Sequence, residues 1–153
     1  MGFLSRSIPD QEWVKSAGPI FEAAIDPATT LSEAIRQQDI ERQAEAIGTI
    51  TLRFPSLAES LQRTPAPTSA EARQAKKNLE LGLKDYVTGA KQGYKLFVDL
   101  QKGLLGRLTA GGMAGRAATG RLVFQETLYH EIVKKAEGRL ENARAFLERA
   151  RRA

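Results

Sequence analysis

Glu126 and His130 are the residues of this sequence best placed to do chemistry. They stand four positions apart, so on a helix both point to one side. Tyr129 and Glu131 lie among them and make this the densest cluster of reactive side chains in the chain. A carboxylate and an imidazole one turn apart can share a metal ion or pass a proton. A di-iron centre held by a helical bundle needs four carboxylates and two histidines. The chain has one histidine, which excludes that centre. A mononuclear site would need further ligands from elsewhere in the chain. The plainer role for His130 is a solvated or hydrogen-bonded helix residue, and for Glu126 a position near the end of the fold.

Other chemistries fall in turn. With 0 cysteines there are no disulfides, no thiolate metal sites and no thiol nucleophile. Gly115–Arg121 (GRAATGR) has the glycine spacing of a phosphate-binding loop, but it lacks the lysine and the following Ser or Thr, and no strand precedes it. No catalytic residue, metal or cofactor can be assigned, so a non-enzymatic protein is expected.

Three binding patterns remain. Lys77, Lys84 and Lys91 are seven apart, and Lys95 and Lys102 extend nearby faces. Such a stripe can meet phosphates in a salt-dependent way, as on nucleic acid or an acidic membrane surface, or it can simply keep a helix in solution. Gly89 and Gly93 are one turn apart, and Tyr86, Tyr94, Phe97 and Tyr129 stand within reach of them. Small residues facing large rings can either line a cavity for an apolar ligand or admit a neighbouring ring. Residues 103–124, apolar, glycine-rich and basic, combine what a membrane surface attracts with what a turn requires.

These residues need helices to hold them. Between Thr68 and Leu108, apolar or small residues fall at Leu79, Leu83, Tyr86, Ala90, Gly93, Phe97, Leu100 and Leu104, with gaps alternating four and three. That rhythm puts all eight on one helix face, and no strand can hold it. A second row runs Ile40, Ala44, Ile47, Thr51, Phe54, Ala58 and Leu61, with Pro55 inside it as a kink. A third runs from Leu122 through Glu126, Tyr129, Val133, Ala136, Leu140, Ala143 and Leu147 to Ala150.

Helix starts and stops follow from local chemistry. Ser7-Ile8-Pro9-Asp10 reads as the start of a first helix, with a break or kink at Gly18-Pro19 and an end at Asp26-Pro27. Thr30 with Glu33, Ser56 with Glu59, and Thr68 with Glu71 have the spacing of capping boxes. The expected fold is all-α: an antiparallel up-down bundle of three long helices plus a shorter N-terminal helix covering one end. One domain is expected over 1–153, with 1–7 as an arm and 109–118 as a glycine-rich turn.

Charge is uneven. Residues 1–67 hold 6 Lys or Arg against 9 Asp or Glu, and residues 68–153 hold 17 against 9. The basic second half suits either an anionic partner or an acidic first half packed beside it. No apolar run is long enough for a membrane span, and a cytoplasmic location is expected. By elimination, the expected function is a helical module that binds a protein partner or itself. Binding of an anion and binding of a small apolar ligand are the alternatives.

Overall fold

The computed structural model describes residues 7–107 and 113–152, apart from the side chains of 104–107 and 113–119. The expected arm (residues 1–7) falls outside these except for Ser7, as does the 109–112 part of the expected turn. Four helices follow one another: α1 (Asp10–Arg36), α2 (Ile40–Arg63), α3 (Ala70–Arg107) and α4 (Met113–Arg152). Among the described residues no strand forms. A lone bridge joins Ile8 to Pro67.

The helices alternate in direction around a square. Neighbours are α1 with α2, α2 with α3, α3 with α4, and α4 with α1; α1 and α3 touch little across one diagonal. Buried apolar side chains from all four form one core, including Trp13, Leu31, Phe54, Leu61, Leu79, Leu83, Val133 and Leu140. Trp13 meets Phe146 with ring centroids 6.1 Å apart, and Phe54 meets Tyr86 edge-on at 5.9 Å. Such tilted and edge-on contacts match the ring quadrupoles and add to area burial.

The expected bundle is present, but the first 63 residues divide differently. Helix α1 does not end at Asp26-Pro27; it continues for 27 residues, so the N-terminal helix is longer than the 24-residue α2. Its buried row, Ala17, Phe21, Ala24, Ala28 and Leu31, crosses Pro27 without a break in register. A proline deprives the carbonyl four residues earlier of its hydrogen bond, costing about 3 kcal/mol in a helix interior. At Pro19, Pro27 and Pro55 those carbonyls belong to Lys15, Ala23 and Thr51, which are exposed or half-buried. Water can reach them, and continuous burial on the opposite side outweighs the loss.

Thr30 and Glu33 therefore sit inside a helix rather than capping one. The stop comes later, by backbone geometry. Gln38 takes φ 56°, Asp39 N–H donates to Ala34 O at 2.9 Å, and Gln38 N–H donates to Ile35 O at 3.1 Å. This is the Schellman pattern, with glutamine where glycine is usual. Asp39 then caps α2 by accepting from Arg42 N–H at 3.1 Å.

At the other end, the Ser69 hydroxyl, not that of Thr68, caps α3 by accepting from Ala72 N–H at 3.0 Å. The Thr68 hydroxyl is taken by Ile8 O at 2.9 Å, and Ile8 N–H donates to Ala66 O at 2.9 Å. Asp10 accepts from Ser69 N–H at 3.0 Å, and hydrogen bonds from Ser69 hold its carboxyl below the ordinary carboxylate range. Gln11 also donates to Ala150 O at 3.1 Å. The start of α1 thus closes the end of the bundle where α2 turns into α3 and α4 finishes.

Two further expectations shift. In α2, Ile40 and Ala44 are exposed, and the core face runs through Gln43, Ile47, Ile50, Phe54, Ala58 and Leu61. Residues 113–118, expected in a turn, belong to α4.

Candidate docking groove

Glu126 and His130 do not assemble a reactive site. Glu126 is exposed, whereas His130 is half-buried with its ring 5.3 Å from that of Tyr129. Among the described residues no three His, Asp or Glu side chains gather as a metal-holding group.

The glycines of α3 do meet rings and branched side chains, and these fill the space beside them. A methyl group at Gly82 would stand 2.8 Å from Leu140 Cδ2, at Gly89 2.9 Å from Val133 Cγ2, and at Gly93 2.7 Å from Tyr129 Cε1. As α3 numbers rise, α4 numbers fall, as antiparallel neighbours require. The glycines let α3 and α4 approach closely, and the space expected for an apolar ligand beside Gly89 and Gly93 is occupied by protein. Tyr86 and Tyr129 are buried, Phe97 is half-buried edge-on against Tyr129 at 6.2 Å, and Tyr94 lies outside, 65% exposed.

Both buried tyrosines have partners on helices across the bundle. The Tyr86 hydroxyl and Ser32 Oγ lie 3.0 Å apart. The Tyr129 hydroxyl donates to Gln43 Oε1 at 2.9 Å, and Gln43 Nε2 donates to Ala34 O at 3.3 Å. Burial pushes both phenols up, that of Tyr86 to about 12. They stay neutral and act as positioning bonds between helices. Neither Ser32 nor Gln43 stands out in the sequence as a core position, because hydrophobic periodicity does not register a polar residue that is buried with its bonds made.

The open feature lies one groove away from Gly93, between α2 and α3. Its α2 side is made of small residues, Ala44, Gly48 and Thr51. Its α3 side is Tyr94, Phe97 and Val98, with Lys91 at the edge and Ile47 at the floor. The groove holds about 630 Å³ and its lining is mostly apolar. Gly48 is exposed, and a methyl group there would meet no atom within 4 Å. A second opening of about 380 Å³ follows along the same pair of helices, past Pro55, Ala58, Leu83, Lys84 and Val87. The groove on the other side of α2, toward α1, is larger at about 800 Å³ but carries Glu22, Asp26, Arg42, Glu45 and Arg53. Water and mixed charge suit that one better than an apolar guest.

The five lysines Lys77, Lys84, Lys91, Lys95 and Lys102 are all exposed. At 100° per residue they fall within about 40° of arc along about 37 Å of α3. They border the α2–α3 groove, since Lys84 and Lys91 line its two openings. Lys84 bonds Glu80 one turn earlier at 3.1 Å. The ion pairs that α1 forms go to α4: Glu22 pairs with Arg151 at 2.8 Å, and Arg36 pairs with Glu137. Standing on the diagonal from α1, the lysine stripe receives none of these carboxylates.

Comparison with protein-family models, with curated protein sequences and with solved structures finds no match.

Ala44, Gly48 and Val98 were not legible as a site. Ala44 and Thr51 carry the four-and-three rhythm of a core row, and only the burial of Gln43 and Ile50 turns them outward. The useful signal was the exposed Gly48 one turn from Ala44, which gives α2 a flat side.

Proposed function

We propose that this protein is a non-enzymatic interaction module, and that it binds a protein partner by taking one of the partner's helices into the α2–α3 groove. The observation carrying this reading is the exposed, mostly apolar groove floored by Ile47 and flanked by Gly48 and Tyr94. A helix docks best where small residues let its backbone come near and where rings give its apolar face something to cover. Gly48 and Ala44 supply the first, and Tyr94, Phe97 and Val98 the second.

The exposed lysine stripe favours a second reading, an anionic partner such as nucleic acid or an acidic membrane surface. The module is taken to act in the cytoplasm; among the described residues no helix is long and apolar enough to cross a membrane.

The test is site-specific photocrosslinking of the full chain in its own cells. A photoreactive phenylalanine replaces Tyr94, whose ring already stands in the groove lining, and, as a control, exposed Lys15 on α1. Support is a crosslink from position 94, absent from 15, that maps to a helical segment of another protein, with the purified segment binding wild type and not Gly48→Leu. Equal crosslinking from both positions, or a segment whose binding ignores Gly48→Leu, contradicts the reading.

A further inference from the structure

From the placement of the lysine stripe along the α2–α3 groove, we infer that the partner segment is an acidic amphipathic helix, its apolar face in the groove and its carboxylates along the α3 edge. This rests on the reading of the groove as a helix-docking site and adds the chemistry of what docks there.

Charge complementarity carries it. Lys77, Lys84, Lys91, Lys95 and Lys102 follow one edge of the groove over about 37 Å, some seven helical turns. A helix lying in the groove runs alongside α3, so its residues at three- and four-residue spacing pass this edge in sequence. Glu or Asp at those positions meets a lysine about every second turn. Lys or Arg there meets like charge instead, which suppresses the wrong partner. The opposite edge has no such field, because α2 carries both signs and Glu59 is paired with Arg63 at 2.6 Å. The charge is therefore one-sided, and it fixes which way the guest's polar flank faces. Exposed Tyr94 stands beside Lys91 in the same lining, giving an apolar contact next to a cation. The −3 of α1 cannot substitute for a guest, since α1 lies across the diagonal from α3 and its ion-paired carboxylate, Glu22, reaches Arg151 of α4.

The occupant also needs small residues where it crosses α2. Gly48 leaves room for a close backbone approach, and a bulky guest side chain there would lift the helix off Ile47 and Phe97.

The experiment is calorimetric titration of the full chain with three synthetic 22-residue helical peptides. They share a leucine–alanine face and differ only on the flank, which is Glu, Gln or Lys. Lys91→Glu/Lys95→Glu/Lys102→Glu and Gly48→Leu are titrated alongside. These positions are exposed, and circular dichroism confirms that each variant is folded. The Glu peptide should bind at least tenfold tighter than the Gln peptide at low salt, and the Lys peptide should not bind measurably. Raising the salt should erase most of the difference. The triple variant should lose at least tenfold for the Glu peptide and gain for the Lys peptide, while Gly48→Leu should abolish binding of all. Equal binding of the three peptides, still lost in Gly48→Leu, overturns the acidic partner and leaves the groove. Binding indifferent to Gly48→Leu, no binding of any peptide, or lysine-dependent binding of duplex DNA or phosphatidylserine vesicles alone overturns both.

Discussion

The Tyr129 hydroxyl on α4 donates to Gln43 Oε1 on α2 at 2.9 Å, joining two helices on opposite corners of the bundle. The same amide donates to Ala34 O, so one side chain ties three helices together. Removing one member leaves a buried polar atom without its partner, which costs about 1–3 kcal/mol. Tyr129→Phe keeps the ring against Phe97 and Gly93 and deletes only the hydroxyl. Thermal melts followed by circular dichroism should show a midpoint lower by about 2–10 °C. In Tyr129→Phe/Gln43→Leu the unpaired acceptor is gone as well, and the pair should cost less than the two single changes added together. Strict additivity would mean the bond is not made.

Gly93 and Gly48 are both helical glycines, yet they should respond to alanine in opposite ways. At Gly93 the added methyl group would press on Tyr129 Cε1 at 2.7 Å and Ile47 Cδ1 at 2.8 Å. Overpacking of this kind destabilises by about 1–3 kcal/mol. At Gly48 it meets nothing within 4 Å. There the gain in helix propensity should stabilise by about 0.5–1 kcal/mol. Denaturant midpoints of the two single variants test the contrast, and a rise for Gly93→Ala would contradict the close α3–α4 approach.

Gln38 holds φ 56° at the end of α1, a conformation glycine adopts without strain. Gln38→Gly should raise stability by about 1 kcal/mol, seen as a midpoint higher by about 2–4 °C. No rise, or a fall, would indicate that the residue is not left-handed in solution.

Alkaline pH should loosen the core through the two buried phenols. Burial raises the pKa of Tyr86 from the ordinary 10.0 to about 12, and that of Tyr129 is also raised. A group whose pKa is raised by folding stabilises fully below its unfolded value and loses that contribution as pH climbs through the folded one. The loss should therefore begin near pH 10 and continue past 12, with Tyr86 alone accounting for about 3 kcal/mol. Denaturant melts between pH 9 and 12 measure it. Tyr86→Phe should flatten part of the slope; an unchanged slope in that variant would place the sensitivity elsewhere.

How far the fold could be read from the sequence varies by helix. The α3 and α4 rows are long and apolar at nearly every turn, and Leu79, Leu83, Tyr86, Ala90, Tyr129 and Val133 are buried as their rhythm requires. The first 63 residues misled for physical reasons. Pro27 signals a break by local chemistry, but it lies where water can reach the carbonyl it frees, so tertiary burial prevailed over the local signal. The true stop at Gln38 depends on a backbone angle that no glycine announces. In α2, one buried glutamine displaced the apparent apolar row by part of a turn and exposed Ala44. Of the groove, the sequence yielded Lys91, Tyr94 and Phe97, though as separate patterns. What joins them is the packing of α2 against α3, a long-range fact that periodicity within either helix does not contain.

The most direct test of the docking groove is an amide NMR titration of the full chain with the segment that crosslinks from position 94. The account expects the largest shifts at Ala44, Gly48, Thr51, Lys91, Tyr94 and Val98, with α1 quiet. Shifts centred on Val123 and Phe124 of α4, or spread over Lys77–Lys102 with Ala44 and Gly48 unmoved, would contradict it.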